Sequence, residues 1–482
     1  MTRLLLSIVF CTLVVLVQAQ HPIYKVRVNE QKELFVEAAF QLVSDTIYIY
    51  QRGTTAAMPE GEAGFVKDLI VTDSKGANRL VRYAGEGNWI ISNGKAGEQI
   101  RLRYQLLTTH KQYNWDHVGG SDEAAFAFEE GLFFTGYTVF ILPDVDMRNI
   151  DVQFQLPAQW IASTPWEKKA ANHFIVENGR LLVNNCFMLG RHSETSIHVE
   201  GMEMRLAISN KLAYAKPLVE NSMRKLIPAY KELFGGIPAP TYLVAMSEER
   251  MTDGSAFRRS FSQIFNDTID EKGMATWAYI MAHEIFHLWN GHAIVPATQE
   301  EWFKEGFTDY MTNVMLRRTG LLNDEITYRK LEHMARRYWL DRFWQRDTVS
   351  IRNTGNQKEQ LRFGVYGGGA VVAIALEVEM RKATQNKKGV ADLFKRMFSE
   401  FAVTKTRYTL SDIIRIVNEE TGKDLQSFFD RYVTGHEFLD LKPYLHEMGL
   451  DFYTVIEEVY IAPNKQATPA QKEMYRQIFQ QQ

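Results

Sequence analysis

The sequence predicts an α+β chain in which a β-rich amino-terminal region, packed as a sandwich, precedes a helix-rich second half. Three observations carry that reading. Apolar and polar residues alternate with period two in short runs from about residue 22 to 208. At 209 the texture changes to an amphipathic stretch closed by glycines, and from 274 onward apolar residues recur at helical spacing. With 482 residues, 45% of them hydrophobic, the chain is long enough for two or three domains with sizeable cores.

In the first region, Ile100, Leu102, Tyr104 and Leu106 alternate in "IRLRYQL", and Ile150, Val152, Phe154 and Leu156 in "IDVQFQL". Shorter runs of the same kind are "YKVRV", "TIYIYQR" and "MRLAI", separated by turn material such as "SKGAN" and "EGNW", and a β-sandwich is the expected packing. The second region opens with "KPLVENSMRKLIPAYKELFGG", a helix stopped by Gly235 and Gly236, and continues with the strand "TYLVAM". Further helices are expected at "AVVAIALEVEMRKA", at "VADLFKRMFSEF", and at "LSDIIRIVNEETG" with Ser411 as N-cap and Gly422 as stop. The polar end, "NKQATPAQKEMYRQIFQQQ", reads as a surface helix or frayed tail. The division is therefore 20–208 for the β-rich domain and 209–482 for the rest.

Residues 1–19 form a separate element. Arg3 precedes a continuous apolar stretch from Leu4 to Val17, with the small Ala19 where a signal peptidase cuts, so export to a periplasm or the cell exterior is expected. An uncleaved anchor is the alternative, disfavoured because the run is shorter than the about 20 residues a spanning helix needs. Cys11, inside the stretch, lacks the small residues before it that a lipidation site requires. Cleavage leaves Cys186 alone, a buried strand residue in "LLVNNCFML", and the mature chain is expected to hold together without disulfides or a membrane span. A formal net charge of −3 offers no basic excess for nucleic acid.

The chemistry concentrates in "MAHEIFHLWNGH", residues 281–292. On a helix, His283 and His287 lie on one face and can aim two imidazoles at one ion, while Glu284 sits one step round, against a water. Trp277, Ile280, Met281, Ile285, Phe286 and Leu288 surround the polar trio, so the helix is buried, and Gly291 can end it. For a third ligand, His292 is one residue out of register for a metzincin site, where Asn290 and Ala293 stand in place of glycine and histidine. In the next expected helix, "EEWFKEGFTDYM", Glu305 and Asp309 are also four apart. Glu305 is the expected ligand, and Asp309, one turn on, can accept the free ring N–H of a ligand histidine. Glu300 and Glu301 read as solvated residues at the start of that helix.

The run "HEIFHLWNGHAIVP…EEWFKEGFTDY" resembles the gluzincin peptidases, specifically the glycyl aminopeptidase family, peptidase family M61. The resemblance continues through "YGGGAVVAIALEVEMR", "YTLSDIIRIVNEETGKDLQSFFDRYVTG" and "YLHEMGLDF", covering roughly residues 210 to 455 and, more loosely, the β-rich half. It implies a thermolysin-like catalytic core to about residue 320, a helical part after it, and one Zn2+ per chain held by His283, His287 and Glu305. Glu284 would be general base, Tyr366 would steady the oxyanion, and the substrate would be a peptide or protein.

Three departures qualify the resemblance. Relatives carry a glutamate, in a segment matching "TDGSAFRRSFSQIF", that binds the substrate's free amino terminus, and Ala256 stands in its place. Gly254, Ser255 and Ala256 remain the expected substrate strand, Asp253, Glu248 and Glu249 are candidate substitutes for the anchor, and Arg258 and Arg259 would favour an acidic group if they face the cleft. Gly368 replaces a lysine two residues after the tyrosine, an expected cost in local order. After Gly435 too few residues follow for the PDZ domain that family members often carry. The leading expectation is an exported zinc metallopeptidase with its exopeptidase character in doubt. The alternative is a catalytically silent peptide- or glycan-binding protein on the same scaffold. Oligomeric state is not legible.

Overall fold

The structure, a computed structural model, describes residues 21–51, 60–108, 126–248, 252–266, 268–345, 348–456 and 458–480. The expected leader at 1–19, Cys11 and Glu249 lie outside these residues. The fold is α+β, with a sheet-rich first region followed by a helical one.

Alternation in the first region becomes an eight-stranded sheet whose middle is formed by Ile23–Val28, parallel to Arg148–Gln155 on one side and antiparallel to Leu34–Gln41 on the other. Every second residue points inward: Tyr24, Val26 and Val28 are buried beside Val36, Ala38, Leu102 and Tyr104. Two four-stranded sheets cover that face, and buried tyrosine hydroxyls tie the layers by donating to backbone carbonyls, Tyr24 to Ile141 and Tyr104 to Val139, both at 2.7 Å. Cys186 is buried in one of these sheets, where burial pushes its thiol up to about 12 and keeps it inert.

The second region is built on a five-stranded sheet in the spatial order Ser193–Val199, Met202–Ile208, Thr241–Glu248, Ser260–Phe265, Asp253–Phe257. Two of these strands precede residue 209: Met202–Ile208 pairs in parallel with Thr241–Glu248 through the crossover helix Lys216–Phe234. Alternation cannot reveal this, because an edge hairpin of either sheet has the same period. Both faces of the sheet are buried. Met204, Leu206, Val244, Met246 and Phe261 pack on the helices, while Ala207, Leu243, Ala245 and Ile264 join the core of the first region.

Several helix ends differ from expectation. The helix Leu410–Thr421 is capped by Thr409, whose hydroxyl accepts from the Asp412 N–H while the Asp412 carboxylate accepts from the Thr409 N–H, so Ser411 is not the cap. Gly422 stops it at φ +64°. The polar tail folds into Pro469–Phe479 and buries Met474, Tyr475, Ile478 and Phe479, an apolar face hidden among polar neighbours. Phe363–Ala383 is apolar and long enough to cross a membrane, but it is 83% buried inside the protein as a core element.

Two widened π-turns, Trp302–Gly306 and Phe363–Gly368, each lead into a helix, Phe307–Arg318 and Gly369–Ala383. They touch backbone to backbone, because a Cβ on Gly306 would lie 2.3 Å from Gly369 Cα and one on Gly369 would lie 2.0 Å from the Trp302 carbonyl oxygen. Gly368 lies within its continuous turn, and a Cβ there would stand 3.2 Å from Ile351. Gly369→Ala should therefore lower stability by about 3 kcal/mol, the upper range for overpacking, since the opposing atoms are backbone. Calorimetry of the variant against the wild type would read this as a clear fall in Tm.

Candidate active site

His283 and His287 lie on the last turn of the helix Met274–Phe286, with His287 at its C-cap, so the helix ends five residues before Gly291. The neighbouring π-turn supplies Glu305. His283 Nε2 and His287 Nε2 are 3.1 Å apart, and Glu305 Oε2 stands 3.3 Å from the first and 3.2 Å from the second. Ligand atoms of a tetrahedral zinc, each about 2.0–2.1 Å from the metal, are separated by about 3.3 Å, so this donor set fits that ion. All three side chains are buried.

Each donor is held from behind. Asp309 Oδ1 accepts from His283 Nδ1 at 3.1 Å, and its Oδ2 pairs with Arg337 at 3.0 Å. The Asn290 carbonyl accepts from His287 Nδ1 at 2.9 Å. These contacts leave both Nε2 atoms facing Glu305. Burial opposes the charge on Glu305, but Lys358 at 2.7 Å and Lys304 at 3.1 Å, both on Oε1, hold its carboxyl well below the usual range and leave Oε2 toward the histidines. Burial likewise works against a charged His283, yet Asp309 and Glu305 outweigh it and raise the ring to about 10.

Two groups face the same space with no hydrogen-bond partner among the described residues, the Glu284 carboxylate and the Tyr366 hydroxyl. Burial pushes the Glu284 carboxyl up, toward the range of a useful base. Burial and the nearby Glu305 and Glu284 push the Tyr366 phenol well up, so it stays a donor. Its ring lies 6.1 Å from that of His283, nearly parallel.

Residues that sequence reasoning passed over complete the site. Asn290, noted there only as a departure from a glycine, is fully buried, and its amide donates to the Lys304 carbonyl and the Thr308 hydroxyl at 3.1 Å, tying the glutamate turn to the histidine helix. Lys358 had no local signal, since it comes from a segment without periodicity. Glu300 and Glu301 are not solvated. Glu300 is fully buried, accepting from Trp302 Nε1 at 2.8 Å and Arg352 at 2.6 Å, and Glu301 pairs with Lys304 and Lys358. These bonds anchor the start of the glutamate turn, which is why the charges are inside.

His292 is outside the donor cluster; it lines a separate cavity, although its backbone N–H donates to the His287 carbonyl at 3.1 Å. Gly254, Ser255 and Ala256 lie on Asp253–Phe257, which pairs on one side only and forms the sheet edge beside the histidine helix. A Cβ on Gly254 would come within 2.7 Å of Ile280 of that helix, so the edge strand runs directly past it. Glu248 is engaged with Ser209 and Lys211. Arg259 pairs with Glu177 of the first region at 2.7 Å, while Arg258 turns into the cavity.

The family model described as M61 glycyl aminopeptidase matches residues 276–388, and the model of the peptidase M61 N-terminal domain matches residues 58–191, together about half of the chain. Among solved structures, the crystal structure of an aminopeptidase N family protein from Idiomarina loihiensis is similar with a TM-score of 0.76 and 16% identity, over 90% of this chain and 79% of that one, a likeness of fold. No curated protein matches. Fold and site thus define a metallopeptidase with a buried two-histidine, one-glutamate metal site. The chain belongs to the M61 glycyl aminopeptidase family.

Asp309→Ala should weaken zinc binding about 10–100-fold by releasing the His283 ring, and Glu305→Ala should weaken it further by removing a ligand. Competition with a fluorescent chelator measures both; Glu305→Ala binding as tightly as the wild type would remove Glu305 from the ligand set.

Proposed function

We propose that the protein is an exported zinc peptidase that hydrolyses peptide bonds with Glu284 as general base and Tyr366 as oxyanion donor. The observation that carries this reading is the convergence of His283 Nε2, His287 Nε2 and Glu305 Oε2 within 3.1–3.3 Å of one another, beside an unpartnered carboxylate and an unpartnered phenol. One Zn2+ held by those three residues supplies, when bound, a water with its pKa lowered to about 7 and a Lewis acid for the scissile carbonyl. Glu284 takes the proton of the attacking water and delivers it to the leaving amine. The Tyr366 O–H donates to the oxygen on which charge develops. Asp309 and Asn290 keep both imidazoles oriented throughout.

Substrate lies along the open edge of Asp253–Phe257, where backbone N–H and C=O groups can pair with an extended peptide. Ala256 offers only a methyl group where an amino-terminal anchor would need a carboxylate, and Asp253, at the strand's start, is that segment's single acid. This supports cleavage within chains rather than at the first residue.

Glu284→Gln should keep zinc and lose hydrolysis about a hundredfold or more, and Tyr366→Phe should lose about a hundredfold in kcat. Digestion of a mixed peptide library, with every cut position read by mass spectrometry, tests both. Cuts only after the first residue would restore an aminopeptidase with another anchor, and equal results for wild type and Glu284→Gln would favour the silent binding protein. Export predicts that the mature protein isolated from its native host begins at Gln20; a mature chain retaining Met1 overturns it.

A further inference from the structure

Between the two regions lies a cavity of about 990 Å³ that the proposed chemistry does not use. One wall comes from the β-rich region and carries Arg180; the other comes from the catalytic region and carries Arg258, Lys405 and Arg407. Two further arginines on its rim are already neutralised, Arg259 by Glu177 at 2.7 Å and Arg148 by Asp146 at 2.8 Å. Arg180, Arg258 and Lys405 have no ion-pair partner among the described residues, and the contact of Arg407 is a long one, 3.5 Å to the Pro296 carbonyl. Against these four cations the lining holds one carboxylate outside an ion pair, Asp144.

Arg258 is partly buried while Arg180, Lys405 and Arg407 are exposed, so the four give the cavity a positive lining open to an anion from solvent. Burial and the nearness of Arg180, Arg259 and Arg407 push the Arg258 guanidinium down to about 10, a sign of how poorly compensated it is. Its backbone is nevertheless fixed. The Arg258 N–H donates to the Asn184 carbonyl at 3.0 Å and the Arg259 N–H to Asn185 Oδ1 at 2.8 Å, so the turn is clamped onto the β-rich region. A positive lining with one fixed arginine turn is complementary to a carboxylate.

The cavity also borders segments that run to the active site. Arg258 directly follows the edge strand Asp253–Phe257, and His292, on the cavity wall, is hydrogen-bonded through its backbone to His287. An extended chain advances about 3.3 Å per residue, so one lying along this strand passes the histidine helix near Gly254 and reaches Arg258 about four residues later.

We propose that this cavity is a substrate subsite that binds acidic side chains of a peptide about three to four residues away from the bond that is cut, with Arg258, Arg180, Arg407 and Lys405 as its cations. The assignment rests on the peptidase reading for its catalytic consequence, but binding can be measured without turnover. The subsite makes the enzyme selective for acidic stretches and needs both regions to be complete, since Arg180 and Arg258 come from different ones.

The test uses the full zinc-loaded protein and a peptide series in which one glutamate is moved through each position on either side of the scissile bond, with glutamine in its place as control. The expected result is a position remote from the bond at which glutamate raises kcat/KM about tenfold over glutamine, mainly through KM, with that ratio lost in Arg258→Ala and reduced in Arg180→Gln. In parallel, a fluorescein-labelled peptide carrying three glutamates is titrated into Glu284→Gln and into Glu284→Gln/Arg258→Ala. Tighter binding to the first, weakening as salt rises, supports the subsite even if no peptide is cut, and so separates its fate from that of the peptidase reading. Equal binding to both proteins, or a glutamate-to-glutamine ratio unaltered in both arginine variants, overturns the proposal.

Discussion

The contact on which this active site depends is one between two glycines. Gly306 and Gly369 bring the π-turns that carry Glu305 and Tyr366 so close that neither position has room for a single methyl group. The third metal donor and the proposed oxyanion donor are therefore placed relative to each other by main chain, which shifts less than side-chain packing does. The histidine helix is then registered against this pair by Asn290, whose amide reaches into the wide turn while its carbonyl holds the His287 ring. The widening matters because a π-turn leaves carbonyls such as that of Lys304 open to a side-chain donor, which a regular helix would not.

Around this frame the charges are arranged so that two buried carboxylates, Glu305 and Asp309, each have two uses. Glu305 gives one oxygen to lysines and the other to histidines; Asp309 gives one to His283 and the other to Arg337. Splitting the oxygens fixes the plane of each carboxylate as well as its charge. Glu284 stands apart from this pattern. It is the one acid of the cluster left unpartnered among the described residues, and proton transfer requires an acid in that condition.

How much of this was legible in the sequence depended on distance along the chain. The histidine pair with its glutamate is a local pattern on one helix, and Glu305 with Asp309 is a second local pattern of the same spacing, so the donor cluster was readable before any coordinates. Asn290, Lys358 and the buried Glu300 were not, because each acquires its partner only when separate segments meet. The π-turns add a residue to a turn without altering composition, so no periodicity marks them. The same limit moved Ser193–Ile208 from one sheet to the other: pleat alternation states that a strand has an inside and an outside, and leaves open whose inside it is.

That shared sheet has a consequence for how the molecule comes apart. Its outer face, with Ala207, Leu243, Ala245 and Ile264, is part of the core of the β-rich region, and Cys186 N–H and Ser260 Oγ are bonded across the seam at 2.9 Å. A chain beginning at residue 209 would lack two strands of its own sheet and present bare aliphatic surface to water. The β-rich region thus serves as the solvent shield of the catalytic sheet, and loosening it lays that apolar face open to water.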